Sequence, residues 1–170
     1  DIIGASVGLS QRLTWPDDFF TLSTSLNYQR YKLKNYRISS FDYDNGTSNN
    51  FNFAVNFGRN NSGPSPIFPK NGSQFNVLLK LTPPYSLLGA GDKDYINMPD
   101  EELYKWLEFY KVVFTGKWFT PIMGKLILMS NAELGYMGAY NDEIGPPPFE
   151  RFYVGGDGLS QGRFDGRTTV

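Results

Sequence analysis

Apolar and polar residues alternate along most of this chain with a period of two, the spacing that sends successive side chains to opposite faces of a β-strand. Residues 2 to 13 set Ile3, Ala5, Val7 and Leu9 against Gly4, Ser6, Gly8 and Ser10, and residues 19 to 33 set Phe20, Leu22, Leu26 and Tyr28 against Thr21, Ser23, Ser25, Asn27 and Gln29. Residues 51 to 60 repeat the device with Phe51, Phe53, Val55 and Phe57, and 74 to 82 with Phe75, Val77, Leu79 and Leu81. Two further segments, about 104 to 119 and 125 to 137, complete a set of six predicted strands; in the last, Leu126, Leu128, Ala132, Leu134 and Tyr136 oppose Lys125, Asn131, Glu133 and Gly135.

One stretch supports two readings. MPDEELYKWLEFY places Leu103, Trp106, Leu107 and Tyr110 at helical spacing behind Pro99 and a run of acids suited to a helix N-terminus. The continuation YKVVFTGKWF favours a strand through its β-branched and aromatic content.

The connections alternate in kind. WPDD (15 to 18) and TPIMG (120 to 124) are tight, and 61 to 72 is a proline-stiffened turn of intermediate length, whereas 34 to 50, 82 to 103 and 138 onward are long. Short turns at one end, long loops at the other and strands of roughly ten residues with one apolar face are the organisation of an outer-membrane antiparallel barrel. Trp15, Phe19, Trp106 and Trp118 near segment ends fit its aromatic girdles. The expected fold is therefore all-β, part of a transmembrane antiparallel β-barrel in the bacterial outer membrane. A soluble barrel or sandwich remains the rival, because period two does not say whether the apolar face meets lipid or a core. Six strands are too few to close such a barrel, since the bacterial class starts at about eight, so residues 1 to 170 are expected to be a fragment of one barrel domain.

Composition narrows function by exclusion. The 170 residues carry a net charge of −1 and contain no histidine and no cysteine. No basic field is available for a nucleic-acid backbone, so no nucleic-acid partner is expected. Without histidine the commonest general base and transition-metal ligand are missing, and without cysteine there are no disulfides or thiolate sites. Aromatic residues make up 16% and mean hydropathy is −0.39, too aromatic for disorder and too polar for helical membrane spans. Glu133, Asp142, Glu143 and Glu150 match neither an EF-hand nor a glycosidase spacing, so no metal, no cofactor and no enzymatic activity are expected. The N-x-S/T triplets at Asn45, Asn60 and Asn71 follow from an Asn-rich loop composition.

Two motifs carry more than architecture. In PIFPKNGSQFNVLLKL, Phe68, Pro69 and Gly72 form an F-P-x-x-G turn that runs into an alternating strand, and residues 149 to 158 read FERFYVGGDG. Both, in this order and over essentially the whole chain, resemble the barrel domain of the BamA family, whose members fold and insert β-barrel proteins into the bacterial outer membrane. The resemblance implies that the loop 138 to 167 folds back into the lumen, with Phe149, Phe152, Tyr153, Gly155 and Gly156 as its aromatic-Gly-Gly element. The family's V-R-G-F tetrapeptide would fall on Ser160, Gln161, Gly162 and Arg163, so only Gly162 is kept, and the arginine's role passes to Arg163 or Arg167. The rival reading of this stretch is a tight surface turn with a solvated charge cluster.

The implied function is a non-enzymatic insertase; the implied partners are outer-membrane lipid, nascent β-barrel substrates and accessory assembly lipoproteins. A related translocation pore and a passive porin-like channel are the alternatives. The seam strands and periplasmic domains are expected to lie outside this segment.

Overall fold

In the computed structural model the described residues are 1–34, 45–63, 65, 68–88, 97–147 and 150–152. They form six strands and two short helices: β1 (Ile2–Arg12), β2 (Phe20–Leu33), β3 (Gly46–Asn60), β4 (Gly72–Leu81), α1 (Tyr85–Leu88), α2 (Asp100–Leu103), β5 (Tyr110–Met123) and β6 (Leu126–Gly138). The strands make one sheet in sequence order, each antiparallel to the next. It is an open sheet with β1 and β6 as its edges, a partial barrel rather than a closed one.

Registers put the alternation to work. Val7 sits opposite Leu26, Leu26 opposite Phe53, Val55 opposite Leu79, Val77 opposite Phe114 and Phe114 opposite Leu134. A slip of one residue in any pair would send one strand's apolar set to the wrong side, and the registers hold throughout except at the turn end of β5 and β6, where they shift between Pro121 and Met123. All six apolar sets share one face, and many of their side chains are exposed, Leu9 at 81% and Leu134 at 67% among them. The other face carries Asn27, Asn50, Asn52, Asn76, Lys80 and Lys111.

Among the described residues buried apolar side chains are few: Ala54 and Val113 lie on the sheet, and the rest, Tyr31, Tyr104, Leu107, Phe109 and Ile144, form one cluster at the loop end. The main apolar cluster is thus a cap at one end of the sheet. Among the described residues no helix is long and apolar enough to cross a membrane, which says nothing of crossing by strands.

Three element boundaries differ from the sequence expectation by more than two residues. Strand β5 begins at Tyr110 rather than 104, because Pro99 and the acids Asp100, Glu101 and Glu102 start the helix α2 and the chain then turns through Tyr104 and Lys105. Strand β3 begins at Gly46, well before Phe51, and so overshoots β4, whose last residue Leu81 lies opposite Phe53. The gap is filled by the segment after α2: Asn49 donates its N–H to the Lys105 carbonyl and its carbonyl accepts from Leu107 N–H, both at 2.9 Å. This fixes Leu107 and Phe109, 1% and 0% exposed, under the cap. Finally, TPIM belongs to β5, which bulges between Pro121 and Met123 before a tight turn at Gly124 (φ +58°).

Candidate functional site: a loop base seated on the polar face

After β6 the chain turns through Asn141–Gly145 and comes back over the polar face of the sheet. Pro147 is among the most deeply buried side chains, and Glu150 is 4% exposed. The carboxylate of Glu150 lies between two lysines of the wall. Lys80 of β4 donates to both its oxygens at 3.1 Å, and Lys111 of β5 donates to its backbone carbonyl at 2.8 Å and to Oε2 at 3.4 Å. From β3, Asn50 donates Nδ2–H to Oε1 at 3.3 Å.

Lys80 and Lys111 are register partners, directly opposite one another across β4 and β5. Like charges so placed repel, and in a buried setting each ammonium also loses hydration. Glu150 answers both problems, since an ionised carboxylate has about four lone-pair sites for donors on two sides. Charge-assisted bonds of this kind are shorter and stronger than neutral ones.

Phe152 completes the seat. The Lys111 ammonium lies 4.5 Å from its ring centroid, within cation–π range. The ring rests on β6 at Gly135, where a Cβ would come within 2.6 Å of Phe152 Cζ. A glycine at 135 is therefore a packing requirement of the ring above it. The cap closes the same region from the loop side: the Tyr104 hydroxyl donates to the Ile144 carbonyl at 3.3 Å, and burial, followed by the charge of Asp100, pushes that hydroxyl above its usual pKa.

Of the residues expected from the aromatic-Gly-Gly motif, Phe152 is found on the polar face. Phe149, Tyr153, Gly155, Gly156, Gly162, Arg163 and Arg167 lie outside the described residues. In the other motif, Gly72 opens β4 with φ +94°, and a Cβ there would meet the Asn61 carbonyl oxygen at 2.3 Å; the Asn61 side chain in turn accepts from Ser73 N–H at 2.8 Å. Phe68 is 76% exposed in the same turn, so Phe68 and Gly72 are brought into one turn without forming a packed unit. The family resemblance points to the arginines as the working charge, and in sequence Glu150 is one of four acids whose spacing matches neither an EF-hand nor a glycosidase. The missed signal was Lys80 and Lys111 on the polar side of adjacent strands, a doublet that calls for an acid between them. Among the described residues no group of acids could hold a metal ion.

The domain model for the Omp85 superfamily matches residues 1–169. The chain belongs to the Omp85 superfamily. No curated protein and no solved structure matches it individually. The six-stranded antiparallel sheet, open at both edges, is consistent with a partial barrel of that superfamily, a group of β-barrel insertion and translocation proteins.

Proposed function

We propose that this chain is part of the barrel wall of an Omp85-type insertase, related to BamA, that folds and inserts β-barrel proteins into the bacterial outer membrane without enzymatic chemistry. The observation that carries the reading is the return of the chain after β6 onto the polar face, fastened there by Glu150 and Phe152. The tie reaches the polar side of β3, β4, β5 and β6, so the loop base is fixed to the wall. On this reading the apolar face meets lipid, the polar face lines the lumen, and the rest of the loop, with Arg163 or Arg167, extends inside the barrel.

The lipid assignment has a simple support. The exposed apolar face would be an aggregation surface in water, while in a bilayer the backbone is satisfied by the strand ladder and the side chains by hydrocarbon. Strands of 10 to 15 residues exceed or meet the roughly 9 to 11 that a tilted spanning strand requires.

The test is reconstitution of the full-length protein in lipid vesicles, followed by folding of a urea-denatured outer-membrane barrel. Acceleration of folding over empty vesicles is the expected result. Transport of a polypeptide into the vesicle without its insertion would instead identify a translocation pore, and a steady ungated conductance with no effect on folding would identify a porin-like channel.

A further inference from the structure

The seat of Glu150 extends beyond the two lysines. Asn52 donates Nδ2–H to Asn50 Oδ1 at 3.0 Å, and Asn27 donates Nδ2–H to Asn52 Oδ1 at 3.0 Å, while Asn50 donates to Glu150. Every amide in this line donates toward the carboxylate, so the dipoles run head to tail and reinforce one another. Asn50 and Asn52 are 0% and 2% exposed, so they have no water to turn to if the line is broken. Around the carboxylate, donors approach from Asn50, Lys80 and Lys111, and among the described residues no acceptor is aimed at it. A neutral amide in that position would turn an N–H2 toward an ammonium or toward the Asn50 amide.

We infer that Glu150 is a charge-set positioning residue. Its negative charge determines where the loop base sits, and Lys80, Lys111 and the Asn27–Asn52–Asn50 line form a preformed carboxylate receptor on the wall of β2 to β5. The inference rests on the proposed insertase reading only for its consequence for activity; the seat itself rests on geometry. The physical step is the state of Lys111, whose side chain is 3% exposed beneath the loop. With the charge of Glu150 removed, docking would bury that ammonium without a counter-charge, which costs more than leaving the loop undocked and the lysine hydrated. Lys80, 23% exposed, can reach water and is the less demanding partner.

The experiment uses the full-length protein in detergent or in cells, with trypsin cleavage after Arg151 as the readout of an undocked loop and heat-modifiable gel mobility as the control for a folded barrel. Proteolysis follows the population of the open form when opening is fast, so Glu150→Gln should raise the cleavage rate on the order of tenfold or more. Glu150→Asp, which keeps the charge, should stay closer to wild type than Glu150→Gln. Lys111→Met should release the loop less than Glu150→Gln because Lys80 still compensates the acid, and Glu150→Gln with Lys111→Met should be cleaved more slowly than Glu150→Gln alone.

Wild-type cleavage of a folded Glu150→Gln protein would overturn the inference. So would equal cleavage of the single and double variants, which would make shape rather than charge the determinant. If Glu150→Gln frees the loop while vesicle folding assays run at the wild-type rate, the seat stands and the role of loop docking in insertion falls.

Discussion

At the loop end of the sheet Glu150 joins Lys80 and Lys111 with side chains 4%, 23% and 3% exposed, whereas at the turn end Asp17 meets Arg59 with side chains 33% and 19% exposed. The second pair has the better single geometry. Arg59 donates to Asp17 Oδ2 from Nε at 3.0 Å and Nη2 at 2.6 Å, and its guanidinium lies 5.8 and 5.4 Å from the ring centroids of Phe19 and Phe20. Yet Asp17 sits in a turn open to solvent, where competing hydration makes an ion pair worth little. The loop-end cluster is built from poorer distances, but Glu150 and Lys111 are nearly closed to water, so breaking it is costly even though assembling it gains little over an apolar packing of the same volume. Burial, more than bond length, separates a clasp that decides a conformation from one that tidies a turn. Their spans differ too: Glu150 is 70 residues from Lys80 and 100 from Asn50 in sequence, while Asp17 and Arg59 are 42 apart.

The comparison breaks most easily at Lys111. Lys111→Ala leaves Glu150 with one lysine that is 23% exposed, empties the space under Phe152, and is expected to destabilise the docked state by about 3 kcal/mol, at the low end for breaking a buried pair because Lys80 remains; chemical unfolding of the folded barrel, monitored by Trp fluorescence, measures it. An effect no larger than that of Asp17→Ala would erase the distinction between the two clasps.

The wall between the clasps supplies the next test. Val77 and Asn76 are neighbours in β4 on opposite faces, Val77 opposite Phe114 and Asn76 opposite Thr115. Val77→Arg is expected to cost about 2 to 4 kcal/mol in a bilayer, with Asn76→Arg costing distinctly less in the same vesicle unfolding titration. Equal costs would mean that the apolar face does not meet lipid.

A sharper probe of the loop end alone is Gly135→Val. The added side chain enters the space of the Phe152 ring, and overpacking of this kind costs about 1 to 3 kcal/mol. Here the expected sign is faster trypsin cleavage after Arg151 with the barrel still heat-modifiable, and Phe152→Ala in the same protein should relieve the clash.

The smallest effect is expected at the turn end. The Arg59 hydrogen bonds hold the Asp17 carboxyl below its ordinary range, against a weaker opposing pull from desolvation. A carboxylate with a depressed folded pKa adds stability above its unfolded pKa and loses it as pH falls through the folded value. Melting curves of wild type and Asp17→Asn should therefore differ slightly at neutral pH and converge in acid.

The faces of the sheet were legible in the sequence because strand side chains alternate with a fixed period and each strand pairs with its sequence neighbour, so local pattern and global arrangement coincide. Phe53, Val77 and Leu134 could be assigned to one face from their own segments. The boundary at Tyr110 could not, since Leu103 and Leu107 fit a helix and a strand equally until the overshoot of β3 past β4 supplied a partner for residues 105 to 107.

Glu150 shows the other limit. Its local sequence, PPFERF, marks a loop and an acid and nothing more. Lys80 and Lys111 look like two ordinary polar-face residues on separate strands, each of which pattern alone would leave in water. Only the β4–β5 register puts them opposite one another, and only the return of the chain after β6 lays a carboxylate and a ring over them. Alternation is a property of consecutive residues and survives in the sequence, whereas a buried charge is satisfied by groups that happen to converge in space. The sequence by itself determined the sheet and its two faces; the tertiary structure alone decided which acid is buried, because the desolvation that makes Glu150 matter exists only once four strands and a loop have met around it.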